Sequence, residues 1–166
     1  IEPKEFKKKQ KKIKSSESER EKYLDQFINP ITVLLEKYSI PHRTMRRTKH
    51  YSSIYGKMKS RGKPFEDILD LMAIRIIVNK VDECYGVLGA IHQLYTPLQD
   101  RFKDYIAMPK SNGYQSIHTT VFGKEGKMVE VQIRTKNMNQ IAEIGVAAHW
   151  IYKDESNQLV KKEKIL

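Results

Sequence analysis

Hydrophobic and polar positions change period several times along the chain, and each change marks an element. Leu24, Phe27, Ile28, Ile31, Leu34, Leu35 and Tyr38 recur at helical spacing. They predict a helix packed on a core, with Pro30 as a kink or restart and Ile40-Pro41 as its end. Ahead of it, residues 1–22 are rich in Lys and Glu with a break at Ser15, Ser16 and Ser18, and read as an exposed helix cut from something longer. A second helix is predicted from Lys49 to Ser60. There Lys49, Ser53 and Lys57 fall at i, i+4 and i+8 as a basic stripe, Tyr51, Ile54, Tyr55 and Met58 take the remainder, and Gly62 and Pro64 follow.

Leu71 to Val78 reads LMAIRIIV, a β-branched and apolar run that predicts a central strand covered on both faces. Arg75 interrupts it. A charge there needs a partner, either a salt bridge to a neighbouring helix or a ligand, because burying it alone is costly. Asp82 is placed to cap the next helix, whose apolar side is Val87, Leu88, Ile91, Leu94 and Tyr95 and which Pro97 stops. Pro109 to Gly113 is a loop by composition. Ser116 to Phe122 and Met128 to Arg134 then make a hairpin around Gly123 to Gly126. Period-two alternation puts Ile117, Thr119 and Val121 with Val129, Val131 and Ile133 on one face. Ser116, His118 and Thr120 lie with Glu130, Gln132 and Arg134 on the other. A final helix from Asn137 to Tyr152 carries Ile141, Ala142, Gly145, Ala148, His149 and Tyr152, the small residues among them permitting close approach to a sheet. His149 beside Trp150 reads as a hydrogen-bonded packing residue. The order of elements indicates an α/β or α+β sheet with helices on its faces.

At 166 residues the chain predicts one globular domain with charged tails. No stretch approaches the roughly 18 apolar residues of a membrane span, and the N-terminus has no apolar segment of the signal-peptide kind, so a cytoplasmic protein is expected. The single cysteine, Cys84, excludes an internal disulfide and a cysteine-rich zinc site, and is expected as buried filler on a helix. A net charge of +11 favours an anionic partner. Seven of the lysines lie in the first 14 residues, where a charge run is the usual solvated end, so the basic groups of the folded part carry more information.

The chemistry concentrates in RFKDYIAMPKSNGYQSIHTTV, Arg101 to Val121, and EVQIRT, Glu130 to Thr135. Cations neutralise phosphate, a ring stacks on a base, and a carboxylate holds a cation or takes a proton from a hydroxyl, a mixture suited to a highly phosphorylated ligand with a flat base. No P-loop and no GxGxxG occurs, so side chains would hold the phosphates. His42, His50, His92, His118 and His149 form no HExxH and no adjacent His-Asp pair, which argues against a metallohydrolase. Asp70 and Glu130, at strand edges, are candidates for magnesium.

In order and spacing, RTKHYSSIYGKM, FEDILDLMAIRIIV, RFKDYIAMPKSNGYQSIHTTV, EVQIRT and IAEIGVAAHWIYK resemble the synthetase domain of the RelA/SpoT homologue family, the guanosine tetra- and pentaphosphate synthetases of bacteria. The likeness runs from about Arg46 to Lys153. It implies a helical connector over 1–45, a synthetase domain over 46–153 and a charged tail over 154–166. It also implies a nucleotidyltransferase-like mixed β-sheet flanked by helices. The implied activity is magnesium-dependent transfer of the β,γ-pyrophosphate of ATP to the 3′-hydroxyl of GDP or GTP, with AMP released. By analogy Arg47 and Arg75 sandwich adenine, and Lys49, Ser53 and Lys57 contact the ATP phosphates. Asp70 holds magnesium, with Glu130 at the acceptor hydroxyl as general base and also near the metal. Tyr114 stacks on guanine beside Asn112, Lys103, Lys110 and His118 serve the acceptor phosphates, Arg101 neutralises charge near the transferred group, and Gln132 and Arg134 line the same face. Arg46 stands where members often have glycine, and RFKD is the form of members that pair synthesis with hydrolysis.

The resemblance makes ATP and GDP or GTP the expected partners, with any ribosome or tRNA contact left to domains outside this chain and no membrane partner. The alternative is a basic RNA- or ribosome-binding module in which Tyr114 stacks on an unpaired base. It leaves Asp70 and Glu130 unexplained, since both would repel phosphate without a metal. A polymerase-type nucleotidyltransferase fails because Asp70-Leu71-Met72 lacks a second aspartate.

Overall fold

The computed structural model describes residues 2–46 and 72–145. The basic stripe of Lys49, Ser53 and Lys57, together with Arg47, Asp70, His149 and Trp150, lies outside the described residues.

Helix α1, Glu2–Lys37, joins the two helical segments read from the sequence into one. Its periodic positions face inward, and Leu24, Phe27, Ile31 and Leu35 are all buried. Pro30 neither ends nor restarts it. That residue lies on the exposed side, where water can satisfy the Gln26 carbonyl that the missing N–H leaves. The helix closes through Ser39 at φ 57, with Ile40 N–H donating to Leu35 O at 2.9 Å and Ser39 N–H to Glu36 O at 3.0 Å.

Strand β1, Arg43–Arg46, follows at once; the sequence reading did not include it, because four residues of mixed polarity carry no periodic signal. It runs antiparallel to β2, Met72–Val78, so β1 takes the edge and β2 an interior position. Met72, Ile74, Ile76 and Val78 are buried on one face, while Ala73 and Arg75 on the other are half-buried, so β2 is fully covered on one side only. Helix α2, Val81–Leu94, begins one residue before the expected cap. Glu83, not Asp82, makes the capping bond, accepting from the Lys80 N–H at 3.0 Å, and Asp82 sits in the first turn, where its charge favours the helix dipole.

Two short strands, β3 at Thr96–Pro97 and β4 at Lys103–Asp104, both pair with β5, Ile117–Phe122. The hairpin partner is β6, Met128–Thr135, and a helix α3 starts at residue 136. The sheet order is β1-β2-β6-β5-β3, with β4 beside β5; β2 and β6 are parallel and the remaining pairs antiparallel. This is a mixed sheet with α1 and α2 in its core layer.

The hairpin register pairs Ile117 with Ile133, Thr119 with Val131 and Val121 with Val129, so the predicted apolar face forms and is buried. Cys84, fully buried on α2, is the expected filler, and burial pushes its thiol pKa up to about 12. Phe27 of α1 stacks on Tyr95 at 4.3 Å between ring centroids, and Tyr95 Oη donates to Phe27 O at 2.8 Å. Tyr23 Oη donates to Lys124 O at 2.7 Å, anchoring α1 to the β5–β6 turn. Gly123 permits that contact, since a Cβ there would lie 2.3 Å from Tyr23 Oη. The described part of α3 differs from expectation. It meets the core through Met138 and leaves Ile141 and Ile144 exposed.

Candidate active site

The sheet face turned away from α1 and α2 is polar because alternation in three adjacent strands selects it. Register brings Arg75 of β2 opposite Gln132 of β6, Gln132 opposite His118 of β5, and His118 opposite Lys103 of β4. Cross-strand partners share a face, so these four side chains form one row, and at about 4.8 Å between strands it is roughly 14 Å long. Glu130 lies one row further along, opposite Ala73 and Thr120. Ser116 and Thr120 are buried on this side, so it is not a solvated surface.

Arg75 Nε donates to Gln132 Oε1 at 3.1 Å, and Arg75 Nη1 donates to Asn139 Oδ1 of α3 at 3.3 Å. The charge inside the apolar strand is therefore met by amides, and of the two solutions the sequence left open, the described residues supply no salt bridge. Arg134 Nη2 donates to the same Gln132 Oε1 at 2.6 Å and to Tyr114 Oη at 3.4 Å. Arg134 is only 3% exposed, and among the described residues its Nε has no partner. Burial lowers its pKa from the ordinary arginine value, and Arg75 adds to the effect; the guanidinium nevertheless stays charged. Among the described residues the ion pairs are those of Arg46 with Glu21 and Asp25. Arg75 and Arg134 are thus neighbouring cations without an ion pair among the described residues, Glu143 of α3 offsetting Arg134 only weakly from further off, and a group of opposite charge would relieve them.

Tyr114 Oη lies 2.7 Å from His118 Nε2, and since it accepts from Arg134 its own hydrogen is available to that nitrogen. Lys110 Nζ stands 5.4 Å from the Tyr114 ring centroid, as does the Arg134 guanidinium carbon. Burial, then the charges of Arg134, Lys110 and Arg75, push the His118 pKa down to about 4. The imidazole is therefore neutral at pH 7. It can serve an anion as a neutral hydrogen-bond partner.

The loop before β5 is built to present Tyr114. Gly113 N–H donates to Lys110 O at 2.8 Å with Gly113 at φ 85, and Asn112 Oδ1 accepts from the Tyr114 N–H at 3.0 Å. Asn112, expected beside Tyr114 at the guanine, thus uses its side-chain oxygen to hold Tyr114 in place. Lys103, Lys110 and Arg101 are exposed, and Arg101 ends a 3₁₀ turn at Gln99–Arg101 outside the row.

Two participants escaped the sequence reading. Tyr105 packs edge-on against Tyr114 at 6.1 Å and His118 at 5.4 Å, with Lys110 Nζ 4.7 Å from its ring centroid. Asn139 shares Arg75. Tyr105 sits two residues from the β4 lysine, a weak signal that period-two alternation could have used. Asn139, on a different element from its partner, had none.

A pocket of about 310 Å³ opens at the β2 end of the row, lined by Met45, Arg46, Ala73, Ile74, Arg75 and Gln132. Arg46 forms its wall while its guanidinium pairs with Glu21 and Asp25 of α1, contacts that raise its pKa above the ordinary value, with Asp25 the largest contributor. Its charge is thereby committed to α1. As to a metal, Glu130 supplies a half-buried hard oxygen donor on the polar face, the donor type magnesium takes, whereas Asp70 lies outside the described residues.

Residues 46–157 match the family model described as a region found in RelA / SpoT proteins. A guanosine-3′,5′-bis(diphosphate) 3′-pyrophosphohydrolase of Spiroplasma citri is 50% identical over 154 residues, covering 92% of this chain and 21% of the relative. A GTP pyrophosphokinase of Escherichia coli (strain K12) is 42% identical over 154 residues, covering 93% of this chain and 21% of the relative. The chain thus spans about a fifth of the length of these curated relatives. Among solved structures, the small alarmone synthetase 1 from Bacillus subtilis bound to its product pppGpp aligns with a TM-score of 0.62 at 25% identity, covering 88% of this chain and 83% of that one. On the match over residues 46–157, and on relatives that share up to half of its residues, the chain belongs to the RelA/SpoT family.

Proposed function

We propose that this chain transfers the β,γ-pyrophosphate of ATP to the 3′-hydroxyl of GDP or GTP, making guanosine tetra- or pentaphosphate and AMP. The observation that carries the reading is the buried Arg134 beside Arg75, two cations held by a shared glutamine with no ion pair among the described residues, an arrangement suited to a polyanion. A relative that holds pppGpp on the same fold supports it, as does the GTP pyrophosphokinase relative. The hydrolase name of the Spiroplasma relative belongs to a protein nearly five times the matched length, so it does not decide what this fifth of it does.

In this reading the acceptor 3′-oxygen attacks the β-phosphorus of ATP. The new bond forms there as the bond from that phosphorus to the α–β bridging oxygen breaks, and AMP leaves. Glu130, on the polar face, takes the proton of the 3′-hydroxyl. Arg75 and Arg134 offset the charge gathering on the transferred group, and neutral His118 donates a hydrogen bond to it. Tyr114 stacks on guanine, held by Asn112, Tyr105 and His118, while Lys103 and Lys110 reach the acceptor phosphates from the exposed rim. Asp70 and Glu130 would hold magnesium, which would neutralise phosphate charge when bound.

Incubation with labelled ATP, GDP and magnesium should yield guanosine tetraphosphate and AMP in equal amounts. Glu130→Gln should remain folded and lose on the order of 10²-fold or more in rate. Near-normal turnover in that variant would remove Glu130 from the chemistry. Absence of product in the parent chain, with tight binding of RNA instead, would favour the nucleic-acid module.

A further inference from the structure

In the RFKD segment of Arg101 to Asp104, adjacent charged residues point to opposite sides of the sheet. Lys103 pairs with His118 and shares the polar face. Asp104 pairs with Ile117, which belongs to the buried apolar face, so the carboxylate is turned toward α2. There both oxygens are occupied. Oδ1 accepts from the N–H groups of Ile106 at 2.9 Å and Ala107 at 3.0 Å, and Oδ2 accepts from Tyr85 Oη of α2 at 2.8 Å. Burial alone would raise the pKa of Asp104. The bonds from Ala107, Tyr85 and Ile106 outweigh it and hold the carboxyl below its usual range. Phe102, the other residue of the segment turned this way, packs edge-on against His92 of α2 at 6.1 Å between centroids. The turn that follows is tied back by Met108 N–H to Asp104 O at 3.3 Å and by Tyr105 N–H to Ser116 O at 2.9 Å.

We propose that Asp104 is a positioning residue for the guanine-nucleotide side of the site, locking the 103–108 segment onto α2 through Tyr85 so that Lys103 and Tyr105 stay against His118 and Tyr114. This rests on the synthetase reading for its substrate. It separates two roles that one charged tetrapeptide invites merging: Lys103 faces the ligand, and Asp104 neither ligates a metal nor accepts the reaction's proton. Tyr105 depends on the lock most directly, since it lies between Asp104 and the two amides that Asp104 captures.

Three variants separate this from a ligand or base role. Asp104→Asn keeps Oδ1 for the two amides and turns an NH₂ group toward Tyr85 Oη, which can accept in return. Tyr85→Phe removes only the bond to α2, and Asp104→Ala removes all three. For the chain with ATP, GDP and magnesium, Asp104→Asn should stay within about threefold of the parent in every constant. Tyr85→Phe should raise the KM for GDP about three- to tenfold, with kcat and the KM for ATP unchanged, as loss of one such hydrogen bond implies. Asp104→Ala should raise the KM for GDP more than tenfold. Hydrogen exchange at the Ile106 and Ala107 amides should accelerate in the order Asn, Phe, Ala. If the chain makes no product, the synthetase reading fails, and GDP calorimetry with the same exchange measurement still tests the lock. If Asp104→Ala does not fold, the other two variants decide. Asp104→Asn as inactive as a general-base variant, or needing more magnesium, would overturn the proposal. So would Tyr85→Phe with unchanged exchange and unchanged affinity for GDP.

Discussion

His118 carries a pH dependence that reports directly on the electrostatics of the polar face. Its ring is partly buried and faces Arg134, Lys110 and Arg75, which together with burial lower its pKa from 6.5 to about 4. In the unfolded chain the same imidazole titrates near 6.5. Between pH 6.5 and about 4 the unfolded state therefore binds a proton that the native state refuses, and stability falls as pH falls across that window. One proton excluded over roughly 2.5 pH units corresponds to about 3 kcal/mol at most. Solvent screening of a partly exposed ring reduces that to about 1–2 kcal/mol. His92, packed against Thr119 and also lowered by burial, contributes to the same slope, so bulk unfolding must be paired with residue-resolved NMR. The His118 resonances of the free protein should titrate well below pH 6, and His118→Gln should flatten the acid limb of the stability curve. Bound nucleotide phosphates offset the three cations but not the burial, so saturating GDP together with an ATP analogue should move the pKa only part of the way back toward 6.5. A free-protein titration between 6 and 7, or no movement on ligand binding, would refute the picture of a neutral histidine among unpaired cations.

Gly123→Ala should destabilise the protein by about 1–3 kcal/mol in denaturant unfolding, because its Cβ would displace Tyr23 and leave the Lys124 carbonyl without its donor. Tyr114→Ala should weaken guanine nucleotide about five- to a hundredfold in calorimetric titration and leave a non-hydrolysable ATP analogue nearly unaffected, as loss of one stacking platform implies. Equal losses for both nucleotides would instead assign Tyr114 to the fold, where it already braces His118 and Arg134.

The parts of the fold legible in the sequence were those in which periodicity and burial coincide. The hairpin alternates with a period of two, so its register and both faces followed from residue type alone, whereas LMAIRIIV read as a strand covered on both faces. Only the fold shows one face of that strand left half-open and placed beside β6, which completes the polar row across Arg75, Gln132, His118 and Lys103. Strand β1 was not legible, since Arg43–Arg46 has no apolar alternation and exists by pairing with β2. The α2 cap was misread for a similar reason. Asp82 is the better capping residue by type, but Glu83 stands three residues beyond Lys80 and completes the bond. In the site, residue identity predicted chemistry but not charge state. The resemblance makes His118 a partner of phosphates without fixing its charge, and Arg134, Lys110 and Arg75 placed around the buried ring keep it neutral. Arg46 and Arg47 are adjacent in sequence, and only the fold shows Arg46 pairing with α1.

The choice of glutamine at position 132 gives the most direct test of why the face is left cationic. Gln132 Oε1 accepts from Arg75 at 3.1 Å and from Arg134 at 2.6 Å, orienting both guanidinium groups without cancelling either charge. Gln132→Glu keeps the shape and the acceptor atom while adding one negative charge between two cations. The variant should be more stable than the parent, because Arg134 gains a carboxylate in a site where it is 3% exposed, and it should unfold at higher temperature. The same charge should repel phosphate, lowering affinity for an ATP analogue by about tenfold or more, equivalent to about 1.4 kcal/mol. It should also raise the His118 pKa, since two of the cations acting on that ring would be screened. Stability gained and binding lost together would mark the unpaired cations as a cost the fold accepts for its ligand. A variant that is stabilised yet binds nucleotide as tightly as the parent would place the ligand elsewhere, and Arg75 and Arg134 would then be cations that serve only the sheet.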